Sequence, residues 1–274
     1  MIEQQYLHLL ERCMVSPVRE TRNAKCHSIF GAFLEHDLRE SFPALTTKKI
    51  FFRGVIEELA WFLRGSTNVQ ELKDKGVHIW DKNADAYDPE GVDAGGIYGF
   101  LWRHFGAEYK DCHTDYTGQG VDQVANLLQG LREDPTSRRH IICGWSPGTS
   151  ASLPPCHVLY QFYVHGTTLH VQMYQRSADL FLGIPFNIAS TALLTHLVAN
   201  ECDLEPGTMR IIIGDAHIYE NHMDAVREQL GRIPKPLPSI SIVREKDELK
   251  DVKVDGIELL NYKPEPRIKA EMIA

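Results

Sequence analysis

Apolar residues recur at helical spacing at Tyr6, Leu9, Leu10 and Cys13, and again at Val55, Ile56, Leu59, Phe62 and Leu63. The pattern predicts two amphipathic helices whose apolar stripes face a core. Between them Ser28 to Leu34 is a short apolar run that reads as a strand, although periodicity alone does not separate it from a buried helical segment. Thr67, followed three residues later by Gln70, has the form of a capping box that starts a short helix leading towards His78 to Asp81. Residues 82–120 are rich in Gly, Asp and Tyr with little periodicity, which predicts loops near a binding site. Asp122 is placed to cap a helix bearing Val124, Leu127, Leu128 and Leu131 that ends before Pro135. Strands are predicted over Ile141 to Trp145, Val158 to Val164, Leu169 to Tyr174 and Ile211 to Ile213, with His165-Gly166 turning the second into the third. Val158, Tyr160, Phe162 and Val164 share one face of their strand, opposite Leu159, Gln161 and Tyr163. Both faces are largely apolar or aromatic, so a sheet covered on both sides is implied, by helices on one side and by another subunit on the other. Late helices are predicted from about Asn187 to Asn200 and from Tyr219 to Leu230, the latter ending at Gly231. Pro234, Pro236 and Pro238 form a stiff connector, and no repeat or domain boundary interrupts residues 1–274, which read as a single domain.

Composition narrows the range of functions. The 274 residues are 43% hydrophobic, enough for one sizeable core. Twenty-nine basic against 37 acidic residues give a net charge of -8, which disfavours nucleic acid as the main partner and leaves room for a local anion site. No apolar run approaches the roughly 20 residues that span a bilayer, and the N-terminus lacks a basic region followed by an apolar one, so no membrane partner is expected. The six cysteines are scattered, with no Cys-x-x-Cys pair, which fits a reducing, cytoplasmic setting.

The chemistry concentrates in three pieces: Leu153-Pro154-Pro155-Cys156-His157, then Gln175-Arg176-Ser177-Ala178-Asp179, then Gly183-Ile184-Pro185-Phe186-Asn187-Ile188-Ala189. A thiol after two prolines has little freedom, an arginine and a serine can grip a phosphate, and an asparagine can meet the edge of a nucleobase. Each has a bland reading as well. A free cysteine is usually a buried structural thiol, the Arg138-Arg139 pair is ordinarily a solvated surface feature, and Asn187 is placed to cap a helix. His217 and His222 miss the His-x-x-x-His register that puts two ligands on one helical face, so no metal is expected.

Together these strings resemble the active site of folate-dependent thymidylate synthases. The resemblance runs from Gln5-Tyr6-Leu7 through Phe42-Pro43 and Thr46-Thr47-Lys48-Lys49 to Ile268-Lys269-Ala270. It implies an α+β fold, a single domain with a mixed β-sheet flanked by helices, and two such sheets packed back to back in a homodimer. It implies Cys156 as the nucleophile that attacks C6 of the uracil ring of deoxyuridylate, with 5,10-methylenetetrahydrofolate as one-carbon donor and reductant. Glu58 matches the general acid/base glutamate and Tyr98 the tyrosine associated with C5 proton removal. Arg176 and Ser177 match phosphate ligands beside Gln175, and Arg138 and Arg139 match the pair that reaches the phosphate from the partner subunit. Asn187 matches the reader of the uracil edge, where deoxycytidylate hydroxymethylases carry aspartate, and His217 and Tyr219 match the pair at the sugar 3'-hydroxyl. For the folate, the match points to Asp179 at the pterin, Trp80 and Asn83 along the ring system, Lys48 towards the glutamate tail, Gly183 for close backbone approach, and the terminal Ala274.

Departures from the family pattern cluster around this pocket. The usual glycine-containing phosphate loop is here Glu20-Thr21-Arg22-Asn23-Ala24-Lys25-Cys26-His27, with Arg22 as the candidate phosphate ligand. Residues 146–152 form a shortened segment, Thr191 stands where a tyrosine is typical, and Ala274 replaces a larger aliphatic residue. The leading reading is reductive methylation of deoxyuridylate. Three alternatives stay open: a deoxyuridylate hydroxymethylase in which water captures the exocyclic methylene, a nucleotide-binding protein that has lost turnover, and a cysteine hydrolase built on Cys156 and His157.

Overall fold

The computed structural model describes residues 1–149, 151, 153–243 and 249–273. Ala274, together with Ser150 and Ser152 of the shortened segment, lies outside the described residues. Helix α1 (Ile2–Met14) precedes a hairpin of β1 (Val18–Glu20) and β2 (Lys25–Asp37), and α2 (Phe52–Arg64) follows. Three short helices, α3 (Gln70–Lys73), α4 (Asp81–Tyr87) and α5 (Gly99–Arg103), punctuate the loop-rich region before α6 (Gln123–Glu133). Strands β3 (Ile141–Cys143), β4 (His157–His165) and β5 (Thr168–Asp179) lead into α7 (Gly183–Glu201), β6 (Glu205–Tyr219) and α8 (Met223–Leu230). A separate hairpin of β7 (Ser239–Ile242) and β8 (Ile257–Leu260) precedes the C-terminal segment.

The described residues form a six-stranded sheet in the order β1-β2-β6-β5-β4-β3. It is mixed: β5 and β6 run parallel because α7 crosses between them, and every other neighbouring pair is antiparallel. The chain is therefore α+β, as expected. Helix α7 is apolar on nearly all sides and buried along most of its length, packed against β5 and β6, while α1 covers β2. Among the described residues no helix is long and apolar enough to cross a membrane.

Two adjacent rows across the sheet distinguish its faces. Leu34, Ile211, Met173, Tyr160 and Ile142 are cross-strand neighbours and all are fully buried beneath the helices. One residue along, Phe33, Ile212, Tyr174, Leu159 and Cys143 form the same kind of row on the opposite face, and none of them is buried. Phe33 is 53% exposed and Tyr163, on that face of β4, is 55% exposed. The period-2 alternation of the strand thus places an apolar row on a face that the described residues leave open.

Several sequence expectations hold with adjusted ends. Asp122 caps α6 by accepting from the Ala125 N–H at 2.9 Å. The predicted strand over Ile211 to Ile213 is the middle of a much longer β6, whose polar positions obscured it. Four expectations are corrected. The capping box at Thr67 is absent: α3 starts at Gln70, whose N–H is taken by Asn68 Oδ1 at 2.9 Å, while the Thr67 hydroxyl bonds the Tyr109 hydroxyl. The strand predicted to Trp145 stops at Cys143, where Gly144 passes so close to His157 that an added Cβ would sit 2.5 Å from its carbonyl oxygen. Tyr219 ends β6 instead of starting a helix, because its ladder with Cys26 on β2 continues to that residue. Helix α7 begins four residues before Asn187. Asp179 Oδ1 accepts from the N–H groups of Phe181 and Leu182 and turns the chain into it, and Pro185 is tolerated in a first turn whose N–H groups lack helical partners. Asn187 is thus inside the helix and does not cap it.

Candidate active site

The floor of the site is a set of buried side chains from four segments. Glu58 projects from α2 and accepts a 2.7 Å hydrogen bond from Trp80 Nε1. Its carboxyl is otherwise surrounded by apolar matter, and burial pushes its pKa up to about 7 against the weaker lowering effect of the indole bond. The Tyr98 ring stacks on Phe62 with centroids 4.7 Å apart and meets Trp80 and His157 edge-on. Its hydroxyl accepts from the backbone N–H of Cys156 at 2.8 Å, and burial raises its pKa, so it keeps its proton and has it free to donate. Tyr98 also stands at φ 30°, ψ -89°, a conformation that costs a non-glycine residue on the order of 1–3 kcal/mol and persists only where its surroundings impose it.

Cys156 follows the two prolines at the mouth of this floor, partly exposed. Burial raises its thiol pKa, opposed first by the Arg176 guanidinium and then by the Tyr98 hydrogen bond, and burial wins. Without ligand the balance therefore lies with the thiol. Arg176 spends its donors on the chain itself, Nε to the Pro155 carbonyl at 3.0 Å and Nη2 to the Pro154 carbonyl at 2.6 Å, and lies over the Trp145 ring. These bonds pin the segment that carries the thiol into β4.

The base-reading edge is more constrained than the sequence indicated. Asn187 Oδ1 accepts from Gln175 Nε2 at 2.9 Å, and the Asn187 side chain also bonds the His157 ring. Burial pushes His157 down to about 4, so the ring is neutral, and its Nδ1 meets the Tyr160 hydroxyl at 2.9 Å. Gln175 thereby takes one of the two lone pairs of the Asn187 amide oxygen, which fixes the way the side chain faces. His157 was read from the sequence as the neighbour of Cys156 and as its partner in the hydrolase alternative, not as a support for Asn187. Its spacing to Tyr160, with the β-bulge between His157 and Leu159, is the signal that it belongs to this set. Thr191 is fully buried one turn along α7, behind Asn187 and against Tyr160, so it sits in the core and does not line the pocket mouth.

On the side where sugar and phosphate are expected, His217 Nδ1 lies 3.2 Å from Asp215 Oδ1, and Tyr219 bonds the side chain of Asn23. That contact brings the Thr21 to Ala24 turn beside the site. The turn closes through a Thr21–Ala24 hydrogen bond without any residue at positive φ, so the missing glycines do not prevent it. Arg22 is exposed on it. Ser177 is half-buried beside Asp215 in the β5–β6 ladder. Arg138 and Arg139 lie on the exposed segment between α6 and β3, and among the described residues neither guanidinium has a hydrogen bond or ion pair.

The residues expected around the folate form a second wall. Asp179 Oδ1 caps the turn into α7, leaving Oδ2 3.8 Å from His222 Nδ1, and that buried ring nitrogen has no hydrogen-bond partner. A Cβ on Gly183 would meet Asp179 and Asn187 no closer than 3.7 Å, so packing within the chain does not require glycine there and the open position faces the pocket. Asn83 lies in α4, half-buried, one turn from Trp80. An open carboxylate oxygen, an indole and a bare backbone fit a flat, hydrogen-bonding pterin. Lys48 is placed differently from the expectation. It is 6% exposed, donates to the Phe181 carbonyl and lies 3.5 Å over the Phe181 ring, and burial depresses its pKa to about 7. It props the turn before α7. The C-terminal segment packs nearby, with His222 Nε2 bonded to the Glu271 carbonyl at 2.7 Å and Lys82 to the Met272 carbonyl at 3.0 Å. A cavity of about 510 Å³ lined by Lys49, Phe51, Arg53, Tyr262 and Arg267 lies apart from this set and contains neither a thiol nor a raised carboxyl.

A restrained thiol, a buried acid near neutrality, a protonated tyrosine and an oriented amide thus meet in one pocket, the kind of set that suits an enzyme with a cysteine nucleophile. The comparisons with known proteins agree. A profile described as thymidylate synthase matches residues 4–274. The chain is 45% identical to the thymidylate synthase of Homo sapiens, covering 98% of this chain and 90% of that protein. It is 45% identical to the thymidylate synthase of Equine herpesvirus 2 (strain 86/87), with 98% of each covered. It is 46% identical to a bifunctional dihydrofolate reductase-thymidylate synthase of Zea mays over 98% of this chain, and spans about half, 54%, of that longer protein. The chain belongs to the thymidylate synthase family.

Proposed function

We propose that this protein, as a folate-dependent methyltransferase of that family, converts deoxyuridylate to thymidylate. The observation that carries the reading is the convergence of Cys156, Tyr98 and Glu58 at one floor, each with its protonation set by burial. In this reading Arg176, Ser177 and Arg22 hold the phosphate, His217 and Tyr219 hold the sugar, and Gln175 orients Asn187 so that its amide N–H meets O4 and its oxygen meets N3–H of uracil. The Cys156 thiol gives its proton to solvent at the pocket mouth as the sulfur attacks C6, which forms the S–C6 bond at the expense of the C5–C6 double bond and moves that electron pair towards C5 and O4; elimination of the thiolate at the end of the cycle re-forms the double bond and frees Cys156. Glu58, titrating near neutrality, exchanges protons at the uracil O4 side, and the C5 proton leaves by way of the Tyr98 hydroxyl, which takes it up as it passes its own proton on to solvent, so that the tyrosine stays neutral. 5,10-Methylenetetrahydrofolate, when bound, supplies the one-carbon unit and then a hydride. Asp179, Trp80, Asn83 and Gly183 orient it, and Trp80 and the C-terminal segment keep water from the reacting carbon.

The alternatives are less well supported. Water capture, the hydroxymethylase outcome, is opposed by Trp80, which seals Glu58 in a dry floor. A hydrolase needs His157 as a base for Cys156, yet burial lowers its pKa to about 4, which makes it a weak base for a thiol, and its Nδ1 is engaged with the Tyr160 hydroxyl. Loss of turnover has no counterpart in the intact floor. The half-exposed apolar row on the sheet and the unengaged Arg138-Arg139 pair support a homodimer in which each chain lends its arginines to the other's phosphate site. Six free cysteines support a cytoplasmic setting.

The test is mass spectrometry of the nucleotide formed from deoxyuridylate and methylenetetrahydrofolate, with dihydrofolate followed by absorbance. Thymidylate and dihydrofolate in equal amounts are expected. Hydroxymethyl-deoxyuridylate with tetrahydrofolate, or no product, overturns the proposal.

A further inference from the structure

Tyr98 sits between two anchors. On its C-terminal side α5 is packed so tightly that a Cβ on Gly99 would lie 2.9 Å from the Ser66 carbonyl oxygen, and Trp102 N–H bonds the Tyr98 carbonyl at 2.8 Å. On its N-terminal side there is no regular element, only the turn Asp93-Ala94-Gly95-Gly96-Ile97. That turn is held from outside. The Tyr109 ring lies against Gly96 so closely that a Cβ there would be 2.9 Å from the ring's Cγ. The Tyr109 hydroxyl bonds the buried Asp93 carboxylate and meets the Thr67 hydroxyl at 2.8 Å. Asp93 in turn accepts from Gly95 N–H at 2.7 Å and from Cys112 N–H at 3.0 Å, and Ala94 N–H bonds the Thr67 carbonyl at 3.1 Å. Tyr109 is itself wedged between Phe100 and Tyr116, in a small aromatic cluster separate from the main core.

A residue at positive φ relaxes unless both flanks are fixed. We propose that Tyr109, through its hydroxyl on Asp93, is a positioning residue that fixes the turn before Tyr98 and so keeps the Tyr98 hydroxyl on Cys156. It touches no substrate. Its effect falls on the step assigned to Tyr98, and to that extent the inference rests on the proposed methylation.

The informative variant is Tyr109→Phe, which keeps the ring against Gly96 and removes only the hydroxyl. Release of tritium from C5 of deoxyuridylate at saturating folate is expected to slow about tenfold, with KM for both substrates within about twofold. Tyr98→Phe is expected to slow it further, and the double variant to be no slower than Tyr98→Phe alone, because the two act on one step. A second readout needs no turnover. The Cys156 amide is bonded to Tyr98, and the two prolines before it carry no N–H, so its hydrogen exchange can be followed in a short peptide. That exchange is expected to quicken about tenfold in Tyr109→Phe. Unchanged exchange overturns the inference whatever the reaction is, and so does a Tyr109→Phe loss that adds in full to that of Tyr98→Phe. Quickened exchange in a protein whose wild type releases no tritium upholds the clamp and overturns the methylation reading instead.

Discussion

The floor of the pocket and its anion side are built on opposite plans. Glu58, Trp80 and Tyr98 are buried with Cys156 at their mouth, and direct hydrogen bonds join them in two pairs, Trp80 with Glu58 and Cys156 with Tyr98. Arg22, Arg138 and Arg139 are exposed, and Arg176 is occupied with the carbonyls of Pro154 and Pro155. In the proposed reaction the difference follows from what each side would do. Proton transfers near neutrality need pKa values displaced by a dry environment, which only a fixed, buried floor supplies. A phosphate brings its own charge and is held by several cations, each replaceable in part, so those cations can wait in water until it arrives.

The largest effect separating the two plans belongs to the floor. Cys156→Ser is expected to lower kcat by at least about 10⁴ while deoxyuridylate binding changes little, since the covalent step has no substitute. Nucleotide binding by calorimetry alongside turnover checks both halves. Glu58→Gln is expected to cost about 10²–10⁴ in kcat. It also carries a stability signature of definite sign. Because the folded pKa of Glu58 is raised to about 7 from an ordinary 4.5, the protonated carboxyl contributes its full stability below about pH 4.5, and that contribution is lost as pH rises through about 7. The Gln variant lacks this loss and is expected to be more stable than wild type at pH 8 by roughly 3 kcal/mol, a gap that closes on acidification. Denaturant melts at pH 5 and pH 8 read it. Gly183→Val is expected to leave the melting temperature nearly unchanged, because the fold has room for the side chain, while raising the folate KM by about tenfold through the blocked approach. Arg22→Ala is the smallest, a few-fold rise in the deoxyuridylate KM with kcat unchanged, as befits one exposed cation among several. A loss from Arg22→Ala as large as that from Glu58→Gln would erase the distinction between the two sides.

What the sequence disclosed follows the same division. Helices α1 and α6 were legible because each buries one stripe, α2 was legible as a helix although it is buried on all sides from Gly54 to Leu63, and Asp122 was legible as a cap because its chemistry is local. The alternation in β4 was legible down to its open apolar face. The site motifs were legible through family resemblance, and the structure brings Glu58, Trp80, Tyr98, Cys156, Asn187, Gln175 and Asp179 into adjoining walls. Contacts made over long sequence separations were not legible. Thr67 looks like a cap until Tyr109, 42 residues away, takes its hydroxyl. Lys48 looks like a surface cation until Phe181, 133 residues away, is seen beneath it. The start of α7 was hidden because Asp179, read as a ligand residue, also turns the chain into the helix. The positive φ of Tyr98 has no signal in residue type at all, since glycine is the usual occupant of such a position and two glycines stand just before it.

The claim that one pocket is built from a floor in one chain and cations from another is tested by mixing. Cys156→Ala chains and chains carrying Arg138→Ala with Arg139→Ala are each expected to be nearly inactive alone. After unfolding together and refolding as equal mixtures, half the dimers pair unlike chains, and each such dimer holds one site with an intact floor and intact partner arginines. About a quarter of wild-type activity is expected to return. No recovery, with mixed dimers demonstrated by mass spectrometry, would contradict the account and place the phosphate site within a single chain.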